Sequence, residues 1–134
     1  MSDQVSITQE QAEIIEASVQ PALDILMSSG DFPPTLYVHD GEQIASFTLE
    51  PQDVGALQEA ARQIISESAP ETLAYALLYD SVVETEDGQT DMLVIETGDD
   101  EDEEAHEFAW MYSREEGTVA SQMGRLGPAP HLLK

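Results

Sequence analysis

Residues 73–79 form an unbroken apolar run, and this run constrains the fold more than any other feature of the sequence. Successive side chains of a β-strand point to opposite faces, so a strand here would be apolar on both faces. Residues 92–95 form a second run with the same property. An antiparallel sheet with one solvated face alternates apolar and polar residues instead. We therefore expect both faces of these strands to be covered, by helices on both sides, by the C-terminal tail, or by a second copy of the chain.

Two helices, each followed by strands, are predicted along the chain. Apolar residues at helical spacing predict two helices, over residues 8–29 and 51–68. Thr8 and Gln11 fit a capping box at the start of the first helix, and Pro21 should kink that helix or begin a second short one. Strands are predicted where β-prone runs are bounded by turn residues. These runs cover residues 35–40, 43–49, 72–84, 89–97, 104–114 and, as a short last strand, 118–121.

Two Asp-Gly pairs predict hairpins. Asp40-Gly41 and Asp87-Gly88 each separate two predicted strands, and Asp-Gly in that context is a strong signal for a two-residue turn. With Asp87-Gly88 as the loop, we expect Tyr79 to pair with Glu96 across the strands. The same register would place Glu84 opposite Asp91, which is unfavourable because like charges then face each other.

The order of elements predicts an α+β fold. Two helices would pack on a mostly antiparallel sheet of five or six strands, in the order α-β-β-α-β-β-β with a short eighth element. We predict one domain over residues 1–123 and a C-terminal tail over residues 124–134, which contains Gly and Pro and lies outside the core or drapes over it.

Charge narrows the function classes. The chain carries 28 Asp and Glu against 4 Lys and Arg, for a net charge of −24. A nucleic-acid binder needs clustered basic residues, and an anionic membrane attracts them, so we expect neither kind of partner. The chain has no Cys, no leader-like segment at its N-terminus and no apolar run long enough to cross a membrane. The expected location is the cytoplasm.

Two acidic segments are candidate cation sites. The run from residue 99 to residue 104 holds six consecutive carboxylates, and a second group lies at the tip of the later hairpin. Hard cations such as Ca²⁺ prefer several carboxylate oxygens. An EF-hand is excluded, because the Asp spacing upstream of Gly88 and Gly98 does not fit, and a solvated acidic loop is the alternative. The candidate metal ligands are Asp99, Asp100, Asp102, Glu103, Glu84 and Asp91.

Aromatic side chains are the candidate interface. Residues 108, 110 and 112 alternate with smaller residues and share one face of a predicted strand. Packing in the core and contact with a partner are the two roles that remain for these residues. A stacking platform for nucleic acid would need basic residues beside them. The candidate interface residues are Phe108, Trp110, Tyr112, Tyr75 and Tyr79, and a homodimer through the sheet face would use them.

No catalytic residue or cofactor is predicted. His39 and Asp40 are neighbours, but adjacent residues of a strand point to opposite faces. The three His and the absence of Cys make a zinc site unexpected. Isolated glycines provide no phosphate-binding loop.

These observations favour a non-enzymatic protein–protein interaction module whose partner is basic. In size, charge and order of elements the chain resembles type III secretion chaperones and acidic proteins that mimic DNA, although no motif carries the resemblance. Mimicry is compatible with the total charge, since 24 charges correspond to about 41 Å of DNA duplex. A salt-adapted domain whose acidity has no specific role, and a domain that binds divalent cations, are the alternatives.

Overall fold

Two helices lie on opposite faces of one antiparallel sheet. The computed structural model describes residues 8–28, 32–50, 53–85, 88–101, 105–113, 118–119 and 124–133. The predicted α+β class, with two helices and an antiparallel sheet, is confirmed. The helices are α1 (Gln9–Ser28) and α2 (Val54–Ser68). The strands are β1 (Thr35–His39), β2 (Ile44–Thr48), β3 (Ala74–Thr85), β4 (Gly88–Asp99), β5 (Ala105–Ser113), β6 (Thr118–Val119) and β7 (Gly124–Ala129).

Side chains cap the start of both helices. The Gln11 N–H donates to Thr8 Oγ1 (3.2 Å) and the Thr8 N–H donates to Gln11 Oε1 (3.0 Å), which is the predicted capping box. α1 continues through Pro21 to Ser28, so Pro21 does not begin a second helix; it lies on the exposed side. α2 begins at Val54 rather than at residue 51, because Asp53 is its N-cap and accepts a hydrogen bond from the Ala56 N–H (2.9 Å).

The strand order is β2-β1-β3-β4-β5, with β6 and β7 both paired to the outer side of β5. β3 and β4 are the longest strands and lie at the centre. β7 lies within the predicted C-terminal tail, residues 124–134. Its hydrogen bonds to β5 give that segment a place in the sheet.

The register of the central hairpin differs from the predicted one by two residues. Thr85 pairs with Gly88, so Gly88 belongs to β4 and is not part of a two-residue Asp87-Gly88 loop. Gly88 has a φ of 113°, a value that favours glycine, and it ends the turn instead of forming its centre. A shift of two residues keeps every side chain on its predicted face. Val82, not Glu84, lies opposite Asp91, and the predicted clash of these two carboxylates is therefore wrong.

Each face of β3 is covered by a helix of the same chain. On one side, the α1 face, Ala74, Ala76 and Leu78 pack with Ile14 and Leu26 of α1. The opposite side is the α2 face, where β3 and its neighbours pack against α2 and the C-terminal segment. This cluster includes Leu36, Val38, Leu57, Ala61, Ile65, Tyr75, Leu77, Tyr79, Val94, Ala105 and Leu132. Both faces of the apolar run at residues 74–79 are thus covered by helices of the same chain.

Tyr75 ties the C-terminal segment to the α2 face. Its ring is fully buried, and its hydroxyl donates to the Pro130 carbonyl (3.2 Å) while accepting from the Leu132 N–H (3.1 Å). The ring lies over Gly98 on β4: a Cβ at that position would be 2.8 Å from the ring edge. Glycine at residue 98 therefore makes this close approach of ring and backbone feasible.

Candidate functional site

β2 forms one edge of the sheet and is exposed along its length. Of its five residues only Phe47 is half-buried, and the other four are exposed. The strand reads Ile-Ala-Ser-Phe-Thr and has no charged residue, whereas 24% of the chain is charged. Glu42 and Glu50 lie just outside its two ends. Among the described residues β2 therefore presents a short uncharged strip in an acidic surrounding.

The hydrogen bonds at both ends of the β1–β2 hairpin show which backbone groups of β2 face outward. The Asp40 N–H donates to the Gln43 carbonyl (3.2 Å), and the Leu49 N–H donates to the Pro34 carbonyl (2.7 Å). In an antiparallel pair, hydrogen-bonded and non-hydrogen-bonded positions alternate. Counting inward from both ends, Ala45 and Phe47 bond to β1. The N–H and C=O groups that point away from β1 belong to Ile44, Ser46 and Thr48.

A groove runs beside β2 on the α2 face. Its volume is about 160 Å³, close to the roughly 150 Å³ of a protein cavity that accepts a benzene ring, so it has room for one side chain. The sheet side of the groove is apolar and its other wall is the turn after α2. The lining residues are Val38, Asp40, Gln43, Ala45, Phe47, Ser68, Ala69, Glu71 and Thr72. We call this depression the β2 groove.

Two carboxylates border the β2 groove. Asp40 is exposed, and its Oδ1 accepts from the Gln43 N–H (2.8 Å) and the Glu42 N–H (2.9 Å). These bonds hold the pKa of Asp40 below its usual range, the bond from Gln43 having the larger effect, so the side chain is ionised at neutral pH. Glu71 is also exposed and lines the groove from the turn after α2. The groove is therefore negative as well as apolar.

The C-terminal end of α2 adds to this negative potential. The last carbonyls of a helix carry partial negative charge, which a basic residue in the last turn usually offsets. The last turn of α2 has no basic residue and contains Glu67 instead. Pro70 has no N–H to donate to the Ser66 carbonyl, whereas the preceding carbonyl, of Ile65, is bonded by Ala69 (3.1 Å). A cation in the β2 groove would lie beside this helix end.

A buried carboxylate lies elsewhere on the α2 face. Glu96 on β4 is fully buried; Tyr79 donates to its Oε2 (2.7 Å) and Gln58 of α2 donates to its Oε1 (2.7 Å). Burial, and then the hydrogen bond to Glu96, raise the pKa of Tyr79. Glu107 lies directly opposite Glu96 on β5, and burial followed by the Glu96 charge raises the pKa of Glu107. Both oxygens of Glu96 are thus bound by groups of the chain, and they connect α2 to the sheet.

His39 pairs with a residue of α1 and not with Asp40. Its Nε2 lies 2.7 Å from Glu13 Oε2, and its Nδ1 accepts from the Gly41 N–H (2.8 Å). Because Nδ1 accepts, the proton that bonds Glu13 is on Nε2. The imidazole thereby links β1 to α1 and supports the turn that leads into β2.

The candidate metal ligands are distributed over both ends of β4. Asp99 is buried, with Oδ2 accepting from the Thr8 hydroxyl (2.7 Å) and Oδ1 from the Glu101 N–H (2.8 Å). Asp91 lies eight positions earlier on β4, which is about 27 Å away at the rise of a strand. Asp100 is exposed beside Asp99. Asp102, Glu103 and the side chain of Glu84 lie outside the described part of the chain. In the part that is described, no three His, Asp or Glu residues come together as a metal site.

The five candidate interface residues lie on two faces of the sheet. Tyr112 belongs to the cluster under α1, and Trp110 packs against that cluster. Tyr75 and Tyr79 belong to the cluster under α2. Four of the five are buried within the chain, Phe108 being the fourth, and Trp110 is half-buried. An interface role for Trp110 stays a prediction, as does the homodimer, but the helices already cover the faces for which a second copy was invoked.

Comparison with known proteins adds no family. The chain has no match among protein-family models, curated proteins or solved structures. None of the helices in the described ranges is both long and apolar enough to cross a membrane.

Neither the exposed edge of β2 nor the buried carboxylate of Glu96 is among the predicted site residues. A signal exists for each: residues 44–48 are an uncharged strand in an acidic chain, and Glu96 interrupts the apolar run that begins at Met92. Neither signal shows which strand lies at an edge, because strand order depends on long-range pairing.

Proposed function

We propose that the chain is a non-enzymatic protein-interaction module that binds an extended segment of a partner protein along the free edge of β2. The observation that supports this proposal is the open hydrogen-bonding edge of Ile44, Ser46 and Thr48. An exposed strand edge can accept a further strand through main-chain hydrogen bonds, and neighbouring pockets then select side chains.

The opposite edge of the sheet supports the proposal by contrast. Natural proteins protect strand edges with Pro, charged residues, irregular pairing or a covering element. β7 contains Pro128 and Gly127, and its pairing with β5 is irregular at Glu107 and Phe108. β2 has no Pro and no charge, and its pairing with β1 is regular. Of the two sheet edges formed by the described strands, the β2 edge is therefore the one suited to strand addition.

A different protein suits this edge better than a second copy does. Two copies of β2 paired antiparallel about Ser46 would set Glu42 against Glu50 of the other copy, since residues 42 and 50 are equidistant from residue 46. Like charges directly opposite each other on paired strands are destabilising. Both copies would also carry a net charge of −24. The proposed partner therefore carries no such excess of negative charge.

Selection from a peptide library tests the proposal with a matched pair of variants. The probe is a phage-displayed library of random peptides about nine residues long, which exceeds the five or six residues of a typical strand. Ser46→Pro removes an outward N–H, and Ser46→Ala retains it. We expect peptides selected on the wild type to bind Ser46→Ala equally well and Ser46→Pro roughly tenfold more weakly, because a main-chain hydrogen bond is lost. Equal binding to both variants, or no enrichment on the wild type, would contradict the proposal.

A further inference from the structure

The β2 groove can select one residue of an added strand. Side chains of β2 alternate between the two faces, and Ala45 and Phe47 line the groove on the α2 face. Residues of an added strand that lie opposite Ala45 and Phe47 would point to the same side, because directly opposed residues share a face. These two residues of the added strand are two positions apart in its sequence.

The environment differs at the two positions. Phe47 packs against the apolar cluster under α2, so an apolar side chain opposite it would extend that cluster. Ala45 is small, and the groove beside it is bordered by Asp40 and Glu71. Burial of a carboxylate or of an uncharged polar side chain there would add repulsion or leave polar atoms unpaired. A Lys or Arg would place its charged end between the two carboxylates and its stem along Ala45 and Val38.

Resting on the proposed function, we infer that the segment bound at β2 carries a Lys or Arg two positions from an apolar residue, with the basic side chain in the β2 groove between Asp40 and Glu71. Three independent features of the groove favour the cation: the ionised Asp40, the exposed Glu71 and the end of α2, whose last turn has no basic residue. The partner is therefore a protein with a basic, β-prone segment, in agreement with the overall charge of the chain.

The experiment separates this local preference from the general attraction of an acidic protein for basic peptides. The same random library is selected on the wild type and on two double variants with equal charge. Asp40→Asn with Glu71→Gln removes the two groove carboxylates, and the asparagine oxygen can still accept from the loop. Glu16→Gln with Glu59→Gln removes two exposed carboxylates that do not line the groove. Selection at about 0.15 M salt limits attraction by distant charges, since the Debye length is then about 8 Å.

We expect Lys or Arg to be enriched two positions from an apolar residue in peptides selected on the wild type and on the control double variant. The groove double variant should lose this enrichment. It should bind the selected basic peptides about 3- to 10-fold more weakly, as expected for two partly exposed ion pairs. Replacement of the basic residue by Gln in a resynthesised peptide should weaken binding to the wild type by a similar factor.

Two results would overturn the inference, and they are distinguishable. Peptides that depend on the Ser46 N–H but show no basic preference, or the same preference on both double variants, would refute the groove assignment and leave the proposed function standing. Peptides that bind Ser46→Pro and Ser46→Ala equally would refute the proposed function, and the inference with it.

Discussion

β3 and β2 are both rich in apolar residues, yet one is buried on both faces and the other is exposed. Residues 74–79 of β3 are all buried, whereas four residues of β2 are exposed and Ile44 retains 39% of its accessible surface. The difference arises from position in the sheet. α1 and α2 pack over the centre, while β2 lies at the edge, beyond β1.

This comparison separates the part of the molecule that provides stability from the part that is free to bind. In the centre, buried polar groups are satisfied by the chain itself, as at Glu96 and at Tyr75. At the edge, the outward N–H and C=O groups of β2 are satisfied by solvent or by an incoming strand. Substitutions at the centre should therefore change the stability of the fold, whereas substitutions at the β2 edge should mainly change binding.

The largest expected difference is between Leu78→Ala and Ile44→Ala. Leu78 is fully buried under α1, and truncation of a buried leucine costs roughly 2–5 kcal/mol of unfolding free energy. Ile44→Ala should change that free energy by less than about 0.5 kcal/mol, as is usual at a surface position. Urea unfolding of both variants measures the difference. Similar losses in the two variants would show that β2 is as well packed as β3, which would undermine the comparison.

A second, smaller effect concerns the buried tyrosines at the centre and appears in alkali. Burial raises the pKa of Tyr75 to about 12, above the ordinary value of about 10. Folding therefore favours the protonated phenol. The contribution of Tyr75 to the free energy of unfolding is fully present below pH 10. It is lost as the pH rises from 10 to 12, because ionisation then favours the unfolded chain. The chain has a single Lys and four Tyr, so tyrosines account for most of the titration in this range.

Tyr75→Phe tests this contribution. At pH 8 the variant should be less stable by about 1–3 kcal/mol, because Leu132 N–H and the Pro130 carbonyl lose their partner. Between pH 10 and 12 the difference in unfolding free energy between the variant and the wild type should narrow by up to about 2–3 kcal/mol. The reason is that Tyr75 can ionise in the unfolded wild type, whereas phenylalanine cannot ionise. Urea unfolding at several pH values measures the gap. Tyr79 and Tyr37, whose pKa values are also raised, affect both proteins and cancel in the difference. A gap that stays constant with pH would contradict the assignment.

The sequence predicts the centre of the molecule well, because periodicity and turn residues are local signals. The capping box at Thr8, the two hairpins and the need to cover both faces of residues 73–79 can all be inferred from local sequence. The register of the central hairpin is less certain from sequence. Loops at residues 86–87 and 87–88 put the same side chains on the same faces, and the apolar pattern cannot distinguish them.

The candidate site is harder to predict, because it depends on which strand lies at the edge. Residues 44–48 have the same β-prone character wherever they are placed in a sheet. Their exposure follows from the pairing of β1 with β3, which are far apart in the sequence. The β2 groove likewise combines Ala45 with the turn at Glu71, two residues that are far apart in the sequence and meet only in the folded chain. The tail strand β7 escaped prediction because Gly and Pro are unfavourable in strands.

The smallest expected effect tests the edge itself, by placing proline at neighbouring positions of β2. The Ala45 N–H bonds to β1 and the Ser46 N–H points outward, so proline at 45 removes a hydrogen bond of the sheet and proline at 46 does not. Ala45→Pro should therefore be less stable than Ser46→Pro by about 1 kcal/mol, which urea unfolding can resolve. The reverse order would mean that Ile44, Ser46 and Thr48 bond to β1, leaving Ala45 and Phe47 to face outward. In that case an added strand would have its hydrogen-bonded positions shifted by one residue, and the binding edge would need to be assigned again.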